Sequence, residues 1–139
     1  MLKRIDHVGV VVDSLEEARR FLAAVGLRHD RDLDIPGRLK ASFYTCGEIE
    51  IEVLEIIEPA ERSRRLGEAS ARIEHIAIEV DSLAHALSGL AKVGVMMQTD
   101  APVSLDKGLN YWTVAETCDG VIYQLIEVSG GHRGDREGR

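Results

Sequence analysis

The sequence predicts an α+β fold made of two tandem copies of one unit, and three observations predict it. Residues 73–94 (IEHIAIEVDSLAHALSGLAKVG) repeat residues 5–26 (IDHVGVVVDSLEEARRFLAAVG) at a shift of 68 with no gap. The identical pairs include His7/His75, Asp13/Asp81, Ser14/Ser82, Leu22/Leu90 and Gly26/Gly94. A second match, at a shift of 72, lays residues 43–55 (FYTCGEIEIEVLE) over 115–127 (AETCDGVIYQLIE), pairing Cys46 with Cys118, Glu52 with Gln124 and Glu55 with Glu127. Within each copy the apolar period changes from two to about 3.6 and back to two, so each copy is strand, helix, then a run of strands. The boundaries that follow are a first module at 1–57, a linker at 58–72, a second module at 73–129 and a disordered tail at 130–139.

In order along the chain, Ile5 to Val12 reads as a strand with Val8, Val10 and Val12 on one face and His7 and Gly9 on the other. Ser14, with Glu17 three residues on, forms a capping box. Leu15, Ala18, Leu22 and Val25 then make one helical stripe, and Gly26 closes the helix. Residues 27–40 are charged and suit a short strand and a loop around Pro36-Gly37, followed by strands near 39–45 and 48–57. In the last of these Ile49, Ile51 and Val53 alternate with Glu48, Glu50 and Glu52, giving an apolar face for the helices and an acidic face away from them. Residues 58–72 (EPAERSRRLGEASAR) are charged and weakly periodic, a linker with room for a helical turn.

The second copy repeats the plan. Ile76, Ile78 and Val80 face the helix, and His75, Ala77 and Glu79 face away. Leu83, Leu87, Leu90 and Val93 form the helix stripe, and strands follow near 95–98, 110–117 and 120–128. Val10 and Ile78 are the residues expected beneath the helices. Residues 130–139 (GGHRGDREGR) carry almost no apolar side chain.

The whole chain narrows the function classes. At 139 residues it is one domain, or two small modules sharing a core. A net charge of −7 argues against nucleic acid or another polyanion as partner. No apolar run approaches the roughly 20 residues that span a bilayer. The chain enters a strand directly after Met1, so no signal peptide is expected and the expected compartment is the cytoplasm. Cys46 and Cys118 sit at equivalent repeat positions and read as small strand-end residues rather than a disulfide.

The chemistry lies on the face turned away from the helices. In each copy the first strand supplies a histidine and the last strand a carboxylate or carboxamide: His7 with Glu52, His75 with Gln124. If a pseudo-twofold axis relates the copies, these four side chains converge. Two imidazoles, a carboxylate and an amide oxygen suit a divalent metal ion (Co, Ni, Zn, Mn or Fe) with open positions. A lone strand histidine is commonly a satisfied polar residue, and three alternating glutamates also fit a solvated strand face. The duplication of the histidine at one place in both copies favours the site. His29, His85 and His132 fall in a turn, on a polar helix side and in the tail. No phosphate-binding loop, dinucleotide fingerprint, CxxC pair or nucleophile elbow is present.

The duplicated IDHVGVVVDSLEEARRFL and IEHIAIEVDSL segments, with IEVLE and GVIYQLIE closing each half, resemble the vicinal oxygen chelate superfamily. That group includes glyoxalase I, methylmalonyl-CoA epimerase, extradiol dioxygenases, and fosfomycin and bleomycin resistance proteins. The resemblance covers residues 1 to about 129. It implies paired βαβββ modules forming a cupped mixed sheet, the glyoxalase-like fold, with metal ligands at His7, Glu52, His75 and Gln124. The HIAIEVDSL segment and the length are most similar to the epimerases. That likeness implies a small-molecule substrate, a homodimer, and isomerisation by removal of a proton next to a carbonyl with a metal-stabilised enediolate. The epimerases carry a glutamate base before the third strand, where this chain has Asp32-Leu33-Asp34-Ile35-Pro36-Gly37-Arg38. An amide at 124 cannot accept the proton either. Glu50, two residues before Glu52 on the same face, and Glu79 are the replacement candidates for the catalytic base. Tyr111, Trp112, Lys107 and Asn110 are the candidate substrate-binding residues, and either Tyr111 or Trp112 must share the ligand face because strand neighbours point opposite ways. The other functions within reach are a glyoxalase I-like lyase, a non-haem iron dioxygenase using His7, His75 and Glu52, and a metal-free drug-binding protein.

Overall fold

Each copy of the repeat folds as strand, helix, then three strands. The structure, a computed structural model, describes residues 2–105 and 107–129. The tail expected at 130–139 lies outside the described residues. The described elements are β1 (Leu2–Val12), α1 (Leu15–Val25), β2 (Arg28–Ile35), β3 (Leu39–Cys46), β4 (Ile49–Ile56), α2 (Pro59–Arg65), β5 (Ala71–Val80), α3 (Leu83–Lys92), β6 (Val103–Leu105), β7 (Gly108–Trp112) and β8 (Ile122–Val128), with a short 3-10 turn at Ala115–Thr117. The chain divides into two compact units, one of Asp6–His75 and one of Met1–Ile5 with Ile76 onward.

In the Asp6–His75 unit the strand order is β2-β3-β4-β1. β1 runs parallel to β4, with Val10 opposite Val53, while β4–β3 and β3–β2 are antiparallel. A parallel neighbour requires a long crossover, and α1 begins that connection. The helix lays Leu15 and Leu22 on Val12, Tyr44 and Val53, with Val10, Ala18 and Ile51 packed at the margin. In the other unit the order is β5-β8-β7-β6, and α3 sets Leu83 against Val80, Tyr111 and Leu125, with Ile78, Leu87 and Leu90 packed around them.

Both helices start in the same way. Ser14 Oγ accepts from Glu17 N at 3.3 Å and Ser82 Oγ from His85 N at 3.2 Å. The matched glutamates of the last strands cover the first turn as well: Glu55 Oε1 accepts from Leu15 N at 3.4 Å and Glu127 Oε2 from Leu83 N at 2.7 Å. A carboxylate there satisfies an orphan N–H and sits at the positive end of the helix dipole. Gly26 ends α1 at φ 99°, in the left-handed region.

Several elements differ from the sequence expectation. Val10 and Ile78 are only partly buried, at the edge of each helix-side core. Val25 and Val93 are 61% and 76% exposed. Each lies ten residues beyond the stripe's first leucine, which at about 100° per residue turns it about 80° off the stripe. The stretch near 95–98 makes one isolated bridge, Met97 to Thr113, and the edge strand is instead Val103–Leu105. β7 stops at Trp112, because the chain turns through the 3-10 segment and then through Asp119 and Gly120, both at positive φ. The charged stretch at 58–72 contains a capped helix: the Glu58 carboxylate accepts from Ala60 N and Glu61 N, and Pro59 occupies the first turn.

α2 brings a second apolar cluster. Val11, Ala41, Leu54, Ile56 and Leu66 pack together on the face of the sheet opposite α1. The acidic face of β4 therefore becomes apolar beyond Glu52. Cys46 and Cys118 are free thiols. No helix among the described residues is long and apolar enough to cross a membrane.

Leu54→Ala is expected to cost about 2–4 kcal/mol in urea unfolding, against less than about 0.5 kcal/mol for Val25→Ala. Equally small costs at both positions would show that the second cluster does not form.

Candidate metal centre

The register of β1 on β4 assembles the first part of the site. His7 lies opposite Glu50 and Gly9 opposite Glu52, so His7, Glu50 and Glu52 share the face turned away from α1. His75, on β5, completes the group within the same unit. His7 Nε2 is 3.2 Å from His75 Nε2, and Glu52 Oε2 is 3.3 Å from the first and 3.5 Å from the second. The three ligand atoms lie within 4.8 Å of one another. The rings stand edge to face at 90° with centroids 5.2 Å apart. Only 9% of His7 and 7% of His75 is exposed.

The outward nitrogen of each ring is engaged by an acid that precedes it in sequence. His7 Nδ1 is 2.9 Å from Asp6 Oδ2, and His75 Nδ1 is 3.1 Å from Glu74 Oε1. A carboxylate on Nδ1 holds the proton there and turns the Nε2 lone pair inward, the arrangement that orients metal-ligating histidines. Glu74 is itself held by Arg65 of α2, Nε to Oε2 at 2.7 Å and Nη2 to Oε1 at 2.6 Å. Burial opposes the Glu74 charge, yet its bonds to Arg65 and His75 bring its pKa down to about 2.

These side chains fit a divalent cation. With the proton of each ring on the Nδ1 that faces its acid, the two Nε2 lone pairs oppose each other, and a positive charge between them relieves that repulsion. Burial works against that charge on His75, but the bonds to Glu52 and Glu74 outweigh it and push His75 up to about 9. A metal ion supplies the same charge in exchange for the proton. Two nitrogen donors and one carboxylate oxygen are the donor types that zinc and first-row transition metals take.

The other expected site residues are placed as follows. Glu50 is clasped by Arg31 at 3.1 and 3.2 Å, and the Arg31 guanidinium lies 3.9 Å over the Phe43 ring. In the other unit Gln124 is buried and its Nε2 donates to Asn110 Oδ1 at 2.8 Å, so its carbonyl oxygen is the atom it can offer a ligand. Asn110 also donates to Gly108 O at 3.2 Å. Trp112 lies opposite Gln124 on β7 and shares its face. Tyr111 points the other way, buried in the core under α3 with its hydroxyl donating to Thr99 O at 2.5 Å. Glu79 meets Arg4 at 3.5 Å, and Lys107 lies in the turn before β7. Asp32, from the segment that lacks the epimerase glutamate, is tied up by Ser42, His29 and Arg19. The first two of these bring its pKa down to about 2.

Asp6, Glu74 and Arg65 were missed from the sequence. For the two acids a signal existed, since an acid precedes the histidine in both copies. Arg65 had none, because it comes from the segment outside the repeat.

A family model described as the Glyoxalase/Bleomycin resistance protein/Dioxygenase superfamily matches residues 6–111. No curated protein matches the chain. Among solved structures, a hypothetical protein from Bacillus halodurans C-125 is 27% identical, with 91% of this chain and 94% of that one covered and a TM-score of 0.72. A methylmalonyl-CoA epimerase from Mycobacterium tuberculosis is 16% identical over 92% of this chain and 89% of its own, at a TM-score of 0.75. A Streptomyces coelicolor methylmalonyl-CoA epimerase variant in complex with 2-nitronate-propionyl-CoA is 17% identical over 93% and 99%, at a TM-score of 0.69. At these identities the two epimerases are similar in fold.

In metal-free protein, the His75 ring is expected to titrate near 9 in NMR spectra, well above an ordinary imidazole. Glu52→Gln removes a partner that raises it and leaves burial acting downward, so the midpoint should fall. A wild-type midpoint at or below about 6.5 would contradict this arrangement.

Proposed function

We propose that this chain, which belongs to the Glyoxalase/Bleomycin resistance protein/Dioxygenase superfamily, is a metal-dependent isomerase or epimerase that removes a proton next to a carbonyl of a small-molecule substrate. The observation that carries the reading is the cluster of buried His7 and His75 with half-buried Glu52, with two inward nitrogens and one carboxylate oxygen within 4.8 Å. These three residues would hold the ion. On the sequence repeat, Gln124 is the proposed fourth ligand, through its neutral oxygen. A divalent ion held there would supply Lewis-acid stabilisation to the negative charge that develops on substrate oxygens during enolisation.

The protein's own groups do the rest. Asp6 and Glu74 fix the ring orientations, and both rings are buried. Glu50 is the favoured proton acceptor because it neighbours His7 in register on the ligand face. To act, it must exchange its pairing with Arg31 for the substrate's proton. Glu79 is the second candidate. On the other unit Trp112, Asn110, Lys107 and Tyr111 remain the proposed substrate contacts. Trp112 and Asn110 share the face of Gln124, and Tyr111 would act through packing.

What supports an acyl-thioester substrate is that structural neighbours were solved with methylmalonyl-CoA and with 2-nitronate-propionyl-CoA. A second reading is favoured by the cluster itself: two histidines and one carboxylate are the donor set of non-haem iron dioxygenases. Oxygen uptake in the presence of Fe(II) and a catechol separates that reading from an isomerase. A cytoplasmic homodimer completes the proposal, and sedimentation showing only monomer at micromolar concentration would remove the dimer.

Protein loaded with Co, Ni, Zn, Mn or Fe(II) and dialysed is expected to retain one ion per chain. His75→Ala should lose most of it and Gln124→Ala less. Glu50→Gln should leave metal content unchanged and lower kcat at least about 100-fold. Wild-type protein that retains no metal under any of these conditions would leave the metal-free binding protein as the better reading.

A further inference from the structure

We propose that Gly9 is a positioning residue whose missing side chain is the seat for the His75 imidazole. The inference rests on the metal-site reading for its functional meaning, while its geometry stands without it.

Gly9 lies in mid-strand in β1, flanked by Val8 and Val10. Glycine weakens a strand there, so its presence asks for a reason. Conformation is not that reason, because Gly9 is absent from the positions with positive φ. Close approach is. A Cβ built on Gly9 would stand 2.0 Å from Cε1, 2.3 Å from Nε2 and 2.4 Å from Nδ1 of His75. Real side-chain carbons do not come this near, and here the obstacle is a whole ring rather than one mobile tip. Of the described glycines, only Gly108 meets anything comparably close, and there the neighbour is backbone and φ is 140°.

The ring cannot step aside freely. Its Nδ1 is engaged by Glu74, which Arg65 holds in turn. Its Nε2 meets His7 and Glu52. A methyl group at residue 9 must therefore break one side of this arrangement or spread β1 away from the ring. The second copy of the repeat has Ala77 at the equivalent position, fully buried. A small apolar side chain is therefore acceptable to this strand pattern, and Gly9 departs from it where an imidazole lies on the backbone. Gly9 touches no substrate; it acts through His75.

A double-mutant cycle on thermal stability, run on metal-free full-length protein, tests the seat itself. Gly9→Ala is expected to lower Tm by more than about 5 °C in the wild-type background and by less than about 2 °C when His75→Ala is also present. Equal losses in both backgrounds would overturn the proposal. Should Gly9→Ala alone fail to fold, recovery of folding in the double variant supports the seat, and failure of both overturns it. A second measurement ties the seat to the site. Zn or Co affinity is compared in wild type, Gly9→Ala and Val10→Ala, the last being a packing change in the same strand on the other face. Gly9→Ala should weaken binding at least 10-fold and Val10→Ala less than twofold. Equal effects would overturn the positioning role. If wild type binds no metal, the metal-dependent function falls while the stability cycle still decides the seat.

Discussion

Two imidazole nitrogens 3.2 Å apart, with a carboxylate oxygen beside both, form the constraint that the rest of the Asp6–His75 unit serves. Left alone, such a group is unfavourable, because two Nε2 lone pairs turned toward each other repel and a half-buried carboxylate loses hydration. It persists because each member is tied from behind. Asp6 and Glu74 hold the outward nitrogens, and Arg65 holds Glu74. Arg65 is available because α2 forms, and α2 forms because Glu58 caps it and Leu66 anchors it in the second apolar cluster. The charged segment between the repeats is thus part of the support for His75.

The duplication explains what is common to the two units. In both, a serine and a distant glutamate cover the start of the helix. These glutamates sit on the helix face of the last strand, one residue out of phase with the ligand face. That phase separates Glu55 and Glu127 from Glu52 and Gln124: the first pair caps the helices, and the second lies on the opposite face of its strand. A one-residue shift of the strand would exchange these roles and destroy both.

Much of this was legible because it is periodic. The strand–helix–strands plan, the helix caps and the meeting of His7 with Glu52 follow from alternation and from the repeat. The parts that were not legible depend on contacts the pattern does not encode. Leu54 and Ile56 continue the acidic face of β4 as core residues, but nothing local announces that α2 folds over them. The fate of residues 95–105 depends on where β7 stops, which turn residues near 115–120 decide. Arg31 reads as one charge in a charged loop, although it caps the Phe43 ring and closes on Glu50.

That last contact bears on the chemistry. Cross-strand register runs Arg31, Phe43, Glu52, Gly9 in one row, with Glu50 and His7 in the next row but one. The cation therefore sits on an aromatic platform beside the ligand face. It pairs with the very carboxylate proposed as base, and Asp30 holds the same guanidinium from outside at 2.6 Å. If Glu50 is the base, as proposed, Arg31 holds it in place before substrate arrives and must release it before it can take a proton. An anionic group on the substrate that draws Arg31 away would release Glu50 next to His7, whereas a neutral substrate would have to break the pair unaided. Under that proposal, the pairing of Glu50 with Arg31 would favour substrates carrying a carboxylate or similar anion near the carbonyl.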